Sequence, residues 1–128
     1  MKLEEITIVL PLPNKVLQPN CTIGSFGGRM MKAAASKRYR RLAREAIEAE
    51  QLETIPWEKV KVSATFYHAN KRKRDQDNAI GALKAAYDGI TESKLVADDD
   101  YLHMNRGIPE FKLDKEFPRV ILKITRLE

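Results

Sequence analysis

At 128 residues, 43% hydrophobic and 32% charged, the chain is long enough to bury one core and too apolar to remain disordered, so a single domain over residues 1–128 is expected. Its net charge of +5 is uneven: Arg29, Lys32, Lys37, Arg38, Arg40, Arg41 and Arg44 fall in an acid-free stretch, Lys71 to Arg74 form a second, and outside them twelve cations face 18 acids. That clustering favours a polyanionic partner and argues against charge spread merely for solubility. Cys21 stands alone, which excludes an internal disulfide, and with His68 and His103 it does not complete the usual four-ligand zinc site. No apolar run approaches a membrane span and the charged start lacks signal-peptide form, so a cytoplasmic chain with no membrane partner is expected.

In chain order, EITIVL at residues 5–10 is apolar and β-branched and is stopped by Pro11 and Pro13, which predicts an opening strand. Residues 11–31, rich in Pro and Gly, predict a long loop in which Gly24, Ser25, Gly27, Gly28 and Arg29 either approach a phosphate backbone or serve as a flexible connection. From about Ala33 to Gln51 the period becomes helical, with Ala35, Tyr39, Leu42, Ala43, Ala46 and Ala49 on one face. Lys37, Arg38, Arg40, Arg41 and Arg44 lie on the other face near its start, with Glu48 and Glu50 near its end. This order opposes the helix dipole, and it points either to nucleic-acid contact or to an ordinary solvated face. Residues 58–69 alternate as a half-buried strand, with His68 at the end of the apolar face reading as a hydrogen-bonded core-edge histidine rather than a catalyst. A second helix is expected from Asn78 to Asp88, with Asp77 as N-cap and Gly89 at C′, then over residues 94–104 a short apolar segment, the aspartate triplet and a strand containing Tyr101 and Met104, a loop at Gly107 and Pro109, and a closing strand at 118–127.

The richest chemistry lies between residues 71 and 100, where four cations run into Asp75-x-Asp77-Asn78 and a triplet, Asp98 to Asp100, follows the helix. In an extended chain, Asp75 and Asp77 project to one side with Cα atoms roughly 6.5–7 Å apart. Two such carboxylates and a third from the triplet make a partial oxygen shell for Mg²⁺ or Mn²⁺, and the cations beside them suit a phosphodiester. The segment is not a calcium EF-hand loop, because Ile80 and Ala86 stand where Gly and Glu are required. The ordinary alternative is a helix cap, a local ion pair and an acidic turn.

ITIVLPLPNK, the basic helix, RKRDQDN, KAAYDGI and VADDD together resemble the RusA family of Holliday-junction resolvases, small phage and bacterial endodeoxyribonucleases, over most of the chain. RKRDQDN is similar to the family's basic run with D-x-D-N, KAAYDGI to the end of its following helix, and VADDD to its later acidic pair. The resemblance implies Asp75 and Asp77 as the first two metal-binding catalytic aspartates and Asp99, eleven residues after Asp88, as the third, with Asp98 matching the preceding acid. Lys84 matches a helix lysine that stabilises phosphate charge. Here it follows Asn78 by three residues more than in the family pattern, whose lysine position is occupied by Gly81; that shift is nearly one helical turn. The opening motif is shortened to Pro13, Asn14 and Lys15.

The implied fold is a compact α/β (α+β) domain, a mixed β-sheet with two main helices, acting as a homodimer. The implied activity is Mg²⁺- or Mn²⁺-dependent phosphodiester hydrolysis that resolves four-way DNA junctions by paired nicks and leaves 5′-phosphates. Lys71, Arg72, Lys73 and Arg74, with Arg29, Lys37, Arg38 and Arg41, are the expected DNA contacts. Two alternatives share these residues: a non-catalytic DNA-binding protein, and a nuclease for other branched DNA such as forks and flaps.

Overall fold

Alternation sets the first strand. Ile6, Ile8 and Leu10 are buried and Glu5, Thr7 and Val9 exposed in β1 (Glu5–Leu10), the range expected from sequence. The computed structural model describes residues 4–19, 21, 24–53 and 55–128. After β1, Asn14 caps a 3-10 turn at Lys15–Leu17 by accepting the Val16 N–H at 3.0 Å.

Helix α1 (Phe26–Glu48) begins about two turns before the expected start. Ser25 Oγ caps it by accepting the Gly28 N–H at 3.0 Å, so Gly27 and Gly28 are helical and the expected loop through Met31 is corrected. The early turns escape a periodicity reading because Phe26, Met30 and Met31 are exposed. Burial begins only where Tyr39, Ala43 and Ile47 reach the core.

Strand β2 (Val60–His68) buries Val60, Val62, Ala64 and Phe66 on one face. The expected second helix is two: α2 (Gln76–Ala82) and α3 (Lys84–Glu92), meeting at Leu83. Asp75, not Asp77, is the N-cap, accepting the Asp77 N–H at 2.8 Å. Gly89 lies inside α3 rather than at C′, because α1 passes so close that a Cβ there would stand 2.2 Å from the Arg40 carbonyl oxygen. Three strands complete the chain: β3 (Met104–Arg106), β4 (Glu110–Leu113) and β5 (Arg119–Arg126). Met104 joins β3 whereas Tyr101 stays in the preceding turn.

The sheet is mixed, in the order β1-β5-β2, with β3 and β4 sharing the far edge of β2. β5 is antiparallel to both β1 and β2 (Ile8↔Leu122, Ala64↔Leu122), whereas β3 and β4 run parallel to β2 (Val60↔Met104, Phe66↔Phe111). This gives an α+β architecture with α1 and α3 packed together and one core joining sheet and helices through Leu83, Ala86, Ile90, Val120, Leu122 and Ile124. Each fully buried aliphatic side chain there contributes about 1.5–3 kcal/mol. Among the described residues, no helix is long and apolar enough to cross a membrane.

Candidate active site

The end of β2 launches the cationic loop, and the loop braces itself. Arg74 folds back, its Nη1 donating to the carbonyls of Asn70 and Arg72 at 3.0 Å each and its Nη2 to Asn70 Oδ1 at 3.0 Å; Asn70 Oδ1 also accepts the Arg72 N–H at 3.1 Å. Arg74 is thus engaged in the loop, while Lys71, Arg72 and Lys73 are exposed and make no ion pair among the described residues. Behind the loop lies a cavity of about 430 Å³, walled by Phe66 and His68 from β2, Leu12 and Pro13 from the opening loop, and Ala79 and Ala82 from α2. Arg72, Lys73, Arg74 and Lys15 add positive charge to its lining, and Asp75 stands among them.

Asp75 is extended (φ −81°, ψ 123°) whereas Asp77 lies in the first turn of α2, so the two are not the pair on an extended chain that their spacing suggested. Both are exposed. The triplet separates into three roles. Asp98 Oδ1 accepts the Asp99 N–H at 2.7 Å. Asp100 Oδ1 accepts the N–H groups of Leu102 and His103 at 3.1 Å each and lies 2.6 Å from His103 Nδ1. Asp99 turns to α3, where Lys84 Nζ donates to its Oδ2 at 2.5 Å while also donating to Asp88 Oδ1 at 2.9 Å.

From β3, Arg106 Nη2 donates to the Asp99 carbonyl at 3.1 Å and to Oδ2 at 3.3 Å, its guanidinium 4.3 Å from the centre of the Tyr87 ring. The Lys84 hydrogen bond, aided by Arg106, holds the Asp99 carboxyl below its ordinary pKa against the opposing effect of burial. Asp99 and then Asp88 hold Lys84 above its own. Gly81, the position expected for lysine by resemblance, lies under Pro19: a Cβ there would meet the Pro19 Cγ at 2.3 Å. A side chain at 81 is therefore blocked, and Lys84 reaches Asp99 from the next turn.

The structure brings Lys84 to Asp99, and Asp75 to the cationic loop. It does not gather Asp75, Asp77 and Asp99: among the described residues no three Asp, Glu, His or Cys side chains form a shared metal-binding group. Asp99 is tied to the start of α3, whereas Asp75 and Asp77 stand at the start of α2. On α1, Arg29, Lys37 and Arg38 are exposed without ion pairs among the described residues, and Arg41 Nε lies 3.8 Å from Glu45.

Sequence reasoning missed Arg106, which carries no motif and is placed only by the pairing of β3 with β2. His68 departs from expectation too: its Nε2 is buried with no hydrogen-bond partner among the described residues, and burial, then the charge of Arg74, lowers its pKa.

Residues 13–125 match the family model described as endodeoxyribonuclease RusA. The chain belongs to the RusA endodeoxyribonuclease family. No individual curated protein matches it closely enough to be compared with it. The RusA match spans the cationic loop, all six aspartates between Asp75 and Asp100, Lys84, and every cavity residue named above except Leu12. A RusA nuclease acts on the DNA backbone, and the loop from Asn70 to Asp75 sets Arg72, Lys73 and Arg74 directly beside Asp75.

Proposed function

We propose that this RusA-family chain is a divalent-metal-dependent, structure-selective DNA endonuclease that resolves four-way junctions by paired nicks. The observation that carries it is Asp75 standing beside Arg72 and Lys73 on one cavity wall at the head of α2. A carboxylate among phosphate-binding cations is counterproductive for binding alone and useful for hydrolysis.

The donor type fits Mg²⁺ or Mn²⁺, although among the described residues no three carboxylates come together. Asp75, Asp77 and Asp99, with Asp98 as an additional donor, offer carboxylate oxygens, the hard ligands that such ions prefer. Asp99 is held ionised by Lys84, and Asp77 makes no ion pair among the described residues. The chemistry supplied by a cation held there is Lewis-acid stabilisation of the charge that builds on the phosphoryl oxygens.

The chain's own groups do the rest. Lys71, Arg72 and Lys73 hold flanking phosphates, Arg74 keeps their loop in shape, and Lys84 keeps a fixed positive charge beside Asp99 to offset charge in the transition state. Arg29, Lys37, Arg38 and Arg41 extend the DNA contact along α1. Hydrolysis that expels the 3′-oxygen leaves a 5′-phosphate. Two copies related by a twofold axis present two such sites, which suits symmetric nicking of a four-way junction.

The deciding experiment offers a synthetic four-way junction, a fork, a flap and a linear duplex at matched salt, with and without Mg²⁺. Junction-selective nicking that requires Mg²⁺ is expected. Asp75→Asn and Asp77→Asn are each expected to bind the junction and fail to cut it, and full activity in either removes the assignment. Cutting of forks or flaps in preference to junctions would redirect the substrate, and salt-sensitive binding without cutting under any divalent ion would leave a binding protein.

A further inference from the structure

The two cations on Asp99 contact the same oxygen. Lys84 Nζ and Arg106 Nη2 both donate to Oδ2, while Oδ1 accepts no hydrogen bond among the described residues. Arg106 also grips the backbone carbonyl of Asp99, which Lys84 does not touch. A guanidinium holding both the main chain and the carboxylate of one residue fixes the rotation of that side chain as well as its place. The guanidinium is itself held on the ring of Tyr87, a residue 4% exposed within the core. From that buried shelf the restraint runs through Arg106 to Asp99, in a turn otherwise held by Asp98 and Asp100 hydrogen-bonding their own backbone.

We infer that Arg106 is a positioning residue for the nuclease centre, occupying Oδ2 and the carbonyl of Asp99 so that Oδ1 is the oxygen offered to the divalent cation. This rests on the metal-dependent reading above. Arg106 has a simpler alternative role, since its side chain is 37% exposed and an exposed arginine can hold a DNA phosphate directly.

Electrostatics separates the two. Removing a positive charge next to a cation site favours cation binding if charge alone matters. A loss of cation affinity on removing Arg106 therefore reports lost geometry. Partners that orient a metal-binding side chain are typically worth 10–100-fold in affinity or activity.

The test is Arg106→Gln and Arg106→Lys, with Mn²⁺ affinity measured by calorimetry on the protein without DNA, junction affinity measured in EDTA across a salt series, and nicking measured under single turnover. Arg106→Gln is expected to weaken Mn²⁺ binding about tenfold and slow nicking by at least as much, with junction affinity and salt slope unchanged. Arg106→Lys keeps the charge but loses the planar guanidinium that lies on the Tyr87 ring and aims Nη2 at both Asp99 oxygens, the carbonyl and Oδ2, so it is expected to weaken Mn²⁺ binding as well, and it serves as the measured variant should Arg106→Gln not fold. Mn²⁺ affinity that is unchanged or tighter overturns the inference, as does a salt slope reduced by about one, the mark of a lost phosphate contact. Wild-type protein that shows neither Mn²⁺ binding nor metal-dependent nicking overturns the underlying reading instead.

Discussion

Lys84 Nζ lies 2.5 Å from Asp99 Oδ2 although 15 residues separate them, and the same ammonium reaches Asp88 Oδ1 at 2.9 Å. One cation joins α3 to the acidic turn, so Lys84 is both a brace and a source of fixed charge. If the charge is what nicking needs, Lys84→Met should lower the single-turnover rate roughly 10²–10³-fold, the usual effect of deleting one group that stabilises transition-state charge. Junction affinity should be retained, because Lys84 is spent on two carboxylates. Parallel losses of affinity and rate would make it a phosphate contact instead.

The cations of α1 divide into two groups. Arg40 Nε pairs with Glu92 of α3 at 2.9 Å, and Arg44 reaches Glu48 at 3.1 Å and Glu92 at 3.7 Å. These pairs account for part of the charge order that opposes the helix dipole: the cations face acids of the next turn and of α3. Lys37 and Arg38 have no such partners among the described residues. Lys37→Ala combined with Arg38→Ala should therefore reduce the log–log salt slope of DNA binding by about 1.8, at about 0.9 per phosphate contact. Arg40→Ala should leave the slope alone and cost up to about 1 kcal/mol in urea-measured stability, since the pair is partly exposed. Equal slopes for the two variants would contradict this division.

Gly89 and Gly27 are both helical, and their alanine variants should move stability in opposite directions. A Cβ at Gly27 meets nothing within 4 Å, so Gly27→Ala gains the helix propensity difference of about 1 kcal/mol. At Gly89 the added carbon would stand 2.2 Å from the Arg40 carbonyl oxygen and 2.8 Å from Ala43 Cβ, and neither backbone can yield without parting α1 from α3. Overpacking of this kind costs about 1–3 kcal/mol, which outweighs the propensity gain. Thermal melts of both variants check the signs, and a stabilised Gly89→Ala would show that the two helices are not in close contact.

What could be read from the chain beforehand follows from what each segment buries. β1, β2 and β5 were legible because each buries one face, leaving strict alternation in the sequence. β4 was not, since only Phe111 of its four residues is even half-buried. The sequence makes Gly89 look like a helix end because the preference for Gly at C′ is local, whereas the reason for glycine there is contact with α1, 46 or more residues earlier in the chain. At the site, the resemblance to the RusA family picks Asp99 from its neighbours where spacing alone leaves all three open, and Asp99 is the one of the three that meets Lys84. Arg106 was invisible because its proximity to Asp99 depends on strand pairing, not on sequence spacing.

The chain's two histidines should titrate on opposite sides of the ordinary histidine pKa of about 6.5. His103 is raised because Asp100 accepts its hydrogen bond and opposes its charge. His68 is lowered, first by burial against Phe66 and Phe111 and then by the Arg74 charge. The linked stabilities have opposite signs. His103 favours the fold when protonated, so its contribution is full below the unfolded pKa and is lost as pH rises through the raised one. His68 favours the fold when neutral, so its contribution is present above the unfolded pKa and is lost as pH falls toward the lowered one. Proton NMR of the two imidazole C2–H signals should thus show one midpoint on each side of the ordinary value, with His103→Gln deleting the upper and Arg74→Gln moving the lower upward. Denaturant midpoints should follow: the wild type loses stability on the alkaline side through His103, and His103→Gln flattens that limb alone. Two signals titrating together at the ordinary value would mean that neither the Asp100 pair nor the burial of His68 persists in solution.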